Sequence, residues 1–126
     1  MPIIIDANYI LRWFLNDFPQ QATIVDKLLQ TSQPESIILD RVTIAEITYV
    51  LRSKGYDHTQ IFKLIEELLL YSSLDTLSDI ERYALVVYRD TRLDFEDCIL
   101  LANNKIKNYQ IATFDKDILK FISKSS

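Results

Sequence analysis

Pro2-Ile3-Ile4-Ile5-Asp6-Ala7-Asn8-Tyr9-Ile10 is the stretch whose reading decides the fold. Three β-branched apolar residues in succession suit a short strand buried on both faces, as in a parallel sheet. The run stops at an acid, and a helical pattern begins almost at once. In open α/β sheets ligands bind at the C-terminal ends of the strands, so Asp6 stands at the functional edge. Asp6 or Asn8 also suits the cap of the following helix. The stretch alone weighs the two readings evenly.

What shifts the balance is recurrence. Residues 36–40, Ser-Ile-Ile-Leu-Asp, read as a second buried strand followed by a helix. Thr43 with Glu46 three residues on matches a capping box, and the helical period runs to Gly55. Residues 110–114 read as a further strand ending in Asp115, and residues 73–77 are a weaker candidate for an edge strand. Between them, apolar residues at helical spacing predict helices over 9–17, 21–30 after the break at Pro19, and from Asp57 or Thr59 to 71. Ser78 and Glu81 open another helix with a second capping-box match. Asp94 suits the N-cap of a helix starting near Phe95, which places Asp97 on its first turn. A short helix over 116–122 closes the chain, and the basic, serine-rich residues 123–126 are expected to fray. Strands alternating with helices predict an α/β fold with a central parallel sheet covered on both faces.

Composition bounds the chemistry. At 126 residues the chain suits one domain over 1–126, with 48% hydrophobic and 25% charged residues, as in soluble proteins. No apolar run reaches the length of a bilayer span and no signal peptide opens the chain. The single cysteine, Cys98, precludes an internal disulfide framework and fits a cytoplasmic setting. A lone histidine, His58, removes histidine-pair ribonuclease chemistry, and with Cys98 as the sole thiol it argues against a zinc site. The only glycine, Gly55, excludes the glycine-rich phosphate loops of nucleotide-binding folds. A net charge of −4 opposes broad electrostatic capture of nucleic acid, but not a nuclease whose acids are neutralised by metal ions.

Asp6 and Asp115 follow strands directly, while Glu46 and Asp97 are expected on first turns of helices. In a parallel α/β sheet, helices that follow strands begin at the strands' C-terminal edge. The placement of Asp97 there is the less direct inference, because its helix follows another helix. Four converging carboxylates repel unless a cation or protons intervene. An all-oxygen donor set suits hard ions such as Mg²⁺ or Mn²⁺, and paired ions of this kind support phosphodiester hydrolysis.

The segments IIIDANYIL, VTIAEITYVL, LDFEDCILLA and IATFDKDI resemble, in type, order and spacing, the PIN-domain ribonucleases, and most closely the toxin halves of VapBC toxin–antitoxin pairs. The resemblance covers essentially the whole chain. It implies a three-layer α/β/α sandwich with a parallel sheet of four strands in the order 3-2-1-4, sometimes with a fifth. It implies Mg²⁺- or Mn²⁺-dependent endoribonuclease activity, with Asp6, Glu46, Asp97 and Asp115 as the catalytic, metal-binding acids. Asn8 and Thr113 fall where supporting polar residues near metal or phosphate are found. A homodimer and a cognate antitoxin are further implications, with Tyr9, Trp13, Phe18 and the broad apolar stripe of the Ile61 helix as the groove for that partner. For Trp13, a partly buried core aromatic is slightly favoured over a partner contact, given how often tryptophan is largely buried. Asp94, Glu96 and Asp117 are extra acids, read as cap, solvent-facing residue and cap. Arg12, Arg41, Arg52 and Lys54 are the basic residues considered for RNA.

Three other readings compete. A haloacid-dehalogenase-type phosphatase needs a second aspartate two residues after the first, where this chain has Asn8. A receiver-like module expects paired acids and a late lysine after a strand, and neither is evident. A PIN-like fold retained as a silent interaction module is the third, and the presence of all four acids counts against it.

Overall fold

The computed structural model describes residues 1–125 of the chain. They divide into two compact units, Met1–Thr76 and Leu77–Ser126. Among the described residues, no helix is long and apolar enough to cross a membrane.

The first unit holds β1 (Ile3–Ile4), α1 (Ala7–Leu15), α2 (Pro19–Thr31), β2 (Ile37–Ile38), α3 (Arg41–Ser53) and α4 (His58–Leu69). The two strands pair in parallel with Ile3 opposite Ile37 and Ile4 opposite Ile38. Leu74 adds a parallel bridge to Ile37, all that residues 73–77 contribute as an edge strand. Burial alternates along both strands. Ile5, Ile37 and Leu39 are buried, while Ile4 is 68% and Ile38 38% exposed. The sheet is therefore apolar on both sides but covered on one, and the expectation of burial on both faces fails at this pair. Period-two geometry makes the difference visible, because neighbouring residues must face opposite ways.

The helices follow local rules. Proline at 19 is the first residue of α2, a position whose N–H has no intrahelical partner anyway. Asp57 and Gln60 form a reciprocal capping box that starts α4. In the broad stripe Leu70 is exposed and Phe62, Leu64 and Leu69 are half-buried, while Ile61, Ile65 and Leu68 are at most 1% exposed and form the core face of α4. Each such side chain contributes about 1.5–3 kcal/mol on burial. Trp13 packs edge-on against Phe14 and Tyr71, with ring centroids 5.1 and 5.8 Å away. Its Nε1 donates to Asp26, which also accepts from the Tyr71 hydroxyl and the Gln30 amide. One carboxylate thus ties α1, α2 and the turn after α4 together, so Trp13 has a structural role. Burial, then the Asp26 carboxylate, holds the Tyr71 phenol above its ordinary pKa.

The second unit holds α5 (Asp79–Asp90), α6 (Phe95–Lys107) and α7 (Lys116–Ser125). Ser78 is the N-cap of α5, and its hydroxyl bonds the Glu81 carboxylate. α5 and α6 pack closely around Tyr88 and Phe95, which meet edge-on at 6.4 Å. Residues 110–114 form no strand among the described residues, contrary to the sequence pattern. Their composition is strand-like, but no ladder partner meets them and Phe114 is fully exposed. The Thr113 hydroxyl instead accepts the Asp115 N–H and turns the backbone into α7. That helix continues through Ser125, so residues 123–125 are helical where fraying was expected; Ser126 lies outside the described residues.

Candidate active site

In the first unit Asp6 is the N-cap of α1, and its Oδ1 accepts the Asn8 N–H at 2.7 Å. The capping and functional readings of Asp6 are therefore compatible, because one carboxylate oxygen caps while the residue stays exposed. Asn8 follows on the first turn, also exposed. α3 begins three residues earlier than the Thr43–Glu46 capping pattern suggested. Asp40 is its N-cap and accepts the Val42 N–H at 3.2 Å. Glu46 consequently lies on the second turn of α3, exposed, and not on the first. Thr43, freed from capping, donates its hydroxyl to the Ile5 carbonyl at 3.3 Å. Thr43 and Glu46 are three apart and share a helix face. That bond therefore sets Glu46's face of α3 against the end of the strand leading to Asp6.

In the second unit Asp94 takes the N-cap position of α6, without a side-chain capping bond, and Asp97 is on the first turn as expected. Asp115 caps α7, its Oδ1 accepting the N–H groups of Asp117 and Ile118 at 2.9 and 3.0 Å. Thr113 is held against this same turn through the Asp115 N–H. Asp117 is thus inside α7 and receives a cap; it does not supply one. The Asp97 carboxyl is held above the ordinary carboxylate range, chiefly by desolvation and then by the negative charges of Asp115, Asp94, Glu96 and Asp117. Neighbouring Cys98 is fully buried, and desolvation pushes its thiol up to about 12, which removes it as a nucleophile.

The raised Asp97 carboxyl makes a sign-definite prediction. Its charged form is disfavoured in the folded state, so at neutral pH it subtracts stability; below its ordinary value of 3.8 both states are protonated and the penalty vanishes. Asp97→Asn is expected to raise Tm at neutral pH by about 2–4 °C, the scale of relieving one local conflict. The gain should disappear as pH falls through 3.8. Thermal melts across pH check it, and a gain constant with pH would refute the electrostatic cause.

Among the described residues, no group of three or more His, Cys, Asp or Glu side chains is gathered to hold a metal ion. The donor chemistry nonetheless fits a hard divalent cation. Asp97 lies in a field of surrounding carboxylates with no Lys, Arg or His contributing to its shift, and a cation would relieve that field.

Two parallel strands, each followed by helices, with aspartates capping α1, α3, α4 and α7, are features of an α/β protein. A model of the PIN domain matches residues 3–123, and the chain belongs to that family. PIN domains are generally nucleases, hence hydrolases, and typically use divalent metals. Neither a curated protein nor a solved structure matches the chain.

Proposed function

We propose that this PIN domain is a Mg²⁺- or Mn²⁺-dependent endoribonuclease whose working acids are Asp6, Glu46, Asp97 and Asp115. The observation that carries the reading is Asp97, a first-turn carboxylate with a raised pKa and four acidic neighbours, in a family of nucleases. Carboxyls perturbed by desolvation and neighbouring like charges cluster at functional sites. A bound divalent ion supplies an activated water and stabilises charge on the phosphate oxygens. The chain's own residues supply the rest. Asp6 and Asp115 each spend one oxygen on a helix cap, which fixes the carboxylate's orientation. Asn8 and Thr113, each beside a capping acid, are the polar groups offered to substrate.

Further parts of the same reading are a four-stranded α/β/α sandwich and a single domain spanning both units, in line with a family match that crosses them. So are a cytoplasmic toxin role, a homodimer, and an antitoxin partner. Half-exposed Phe18, under the Arg12 guanidinium at 4.6 Å, and exposed Leu70 are the apolar groups such a partner would cover.

The test is cleavage of total RNA by the purified, partner-free chain with Mg²⁺, Mn²⁺ or EDTA. Fragments that appear only with metal are the expected result. EDTA should reduce the rate at least about 10³-fold, since metal activation of water accounts for most of such catalysis. A chain that cuts no RNA with either ion supports the interaction-module reading instead.

A further inference from the structure

We propose that the groove between the α5–α6 turn and α7 is a phosphate track for the single-stranded RNA substrate. This inference rests on the nuclease reading above and extends it to residues outside the acidic set. The groove has a volume of about 450 Å³ and is lined by Arg92, Lys120, Lys124, Phe121 and Asp117. Three cations face one carboxylate there, in a chain whose net charge is −4.

Neither the geometry nor the partners of these cations explain them as structural. Lys120 and Lys124 are one turn apart on α7, so they present charges about 6 Å apart along one face. Arg92, Lys120 and Lys124 are all exposed, and their side chains make no hydrogen bond or ion pair among the described residues. The basic residues considered from sequence differ: Arg12 is paired with Asp17 at 2.9 Å, and Arg52 donates to the Tyr56 carbonyl. The groove also starts close to chemistry. Lys120 follows the capping Asp115 by five residues on the same helix, about 7.5 Å along its axis.

The occupant is a nucleic-acid strand and not an isolated anion because of Phe121. This residue lines the basic groove and also a second cavity of about 440 Å³ that contains Asn104, Asn108 and Gln110. Aromatic surface for stacking beside side-chain amides is how proteins take unstacked bases, while lysine and arginine hold the backbone. The groove is the size of a small-ligand cleft, which suits one extended strand and not a duplex.

The experiment is fluorescence anisotropy of the whole chain with a labelled single-stranded RNA of about 12 nucleotides in EDTA, titrated across roughly 50–200 mM KCl. Lys120→Gln with Lys124→Gln is expected to weaken binding roughly tenfold and to flatten the log–log salt slope by about 1.4, or 0.7 for each phosphate no longer neutralised. Lys27→Gln with Lys63→Gln removes the same charge from exposed positions of the other unit and should leave the slope unchanged. An unchanged slope in the groove variant, or equal flattening in both pairs, overturns the track. If the wild type still cleaves RNA with metal in that case, the nuclease reading stands and only the groove falls. A wild type that neither binds nor cleaves overturns both.

Discussion

Asp97→Asn is expected to abolish RNA cleavage, lowering kcat about 10³-fold or more while leaving KM within a few-fold. The size follows from removing a charge that acts on the reacting phosphate region and not on remote parts of the substrate. Asparagine keeps the shape of the side chain and its place on the first turn of α6. What it removes is the charge that Asp115, Asp94, Glu96 and Asp117 already oppose. The variant should therefore be at least as stable as the wild type and inactive, a combination that damage to the fold cannot produce. Asp6→Asn should behave alike in activity. Asp90→Asn is the control: Asp90 is exposed, pairs with Arg89 at 2.7 Å, and should cost nothing in rate. Single-turnover cleavage of one labelled RNA with Mn²⁺ is the measurement. Activity that survives in both acid variants would place catalysis elsewhere or in a contaminant.

The second large effect is on stability. Phe95→Ala is expected to cost about 3–5 kcal/mol, the usual range for emptying a buried aromatic site. Phe95 is 1% exposed, packs against Tyr88, and is the first residue of the helix that carries Asp97. Against a typical total of about 5–15 kcal/mol this is a large share. Phe114→Ala removes the same side chain from a fully exposed position and should stay within about 0.5 kcal/mol of zero. Urea titrations of both variants give the comparison: a midpoint drop of about 2 M for Phe95→Ala and none for Phe114→Ala. Equal losses would mean that Phe114 is covered in solution.

The contrast between those two phenylalanines also shows what a sequence can carry. Phe95 sits among helical-period neighbours and after an N-cap acid, so its burial follows from a local pattern. Phe114 ends a strand-like run, but a strand needs a partner, and partner choice is not written locally. The start of α3 failed for a related reason. Asp40 and Thr43 both offer caps three residues apart, and the familiar Thr-x-x-Glu pattern favoured the one that the backbone does not use. Glu46 moved to the second turn with it. Asp6 and Asp115 were legible because each ends a strand-like run where a helix begins, and both cap that helix; Asp97 was legible as a first-turn acid behind the N-cap Asp94. Arg92, Lys120 and Lys124 were not. Lys124 lies in the segment expected to fray, and only a helix continuing through Ser125 gives it a fixed face with Lys120.

The scarcity of glycine has a consequence for the unfolded chain. Left-handed backbone is needed at Asn16, Glu35 and Asn108, as well as at Gly55, so three of these sites are met without glycine. Asparagine tolerates that region, whereas glutamate at φ 58° carries a real local cost. In exchange, the denatured ensemble is narrower than that of a glycine-rich chain of equal length, and less disorder is lost on refolding. After denaturation the protein therefore searches a smaller conformational space, a property set by residues far from any charge or groove.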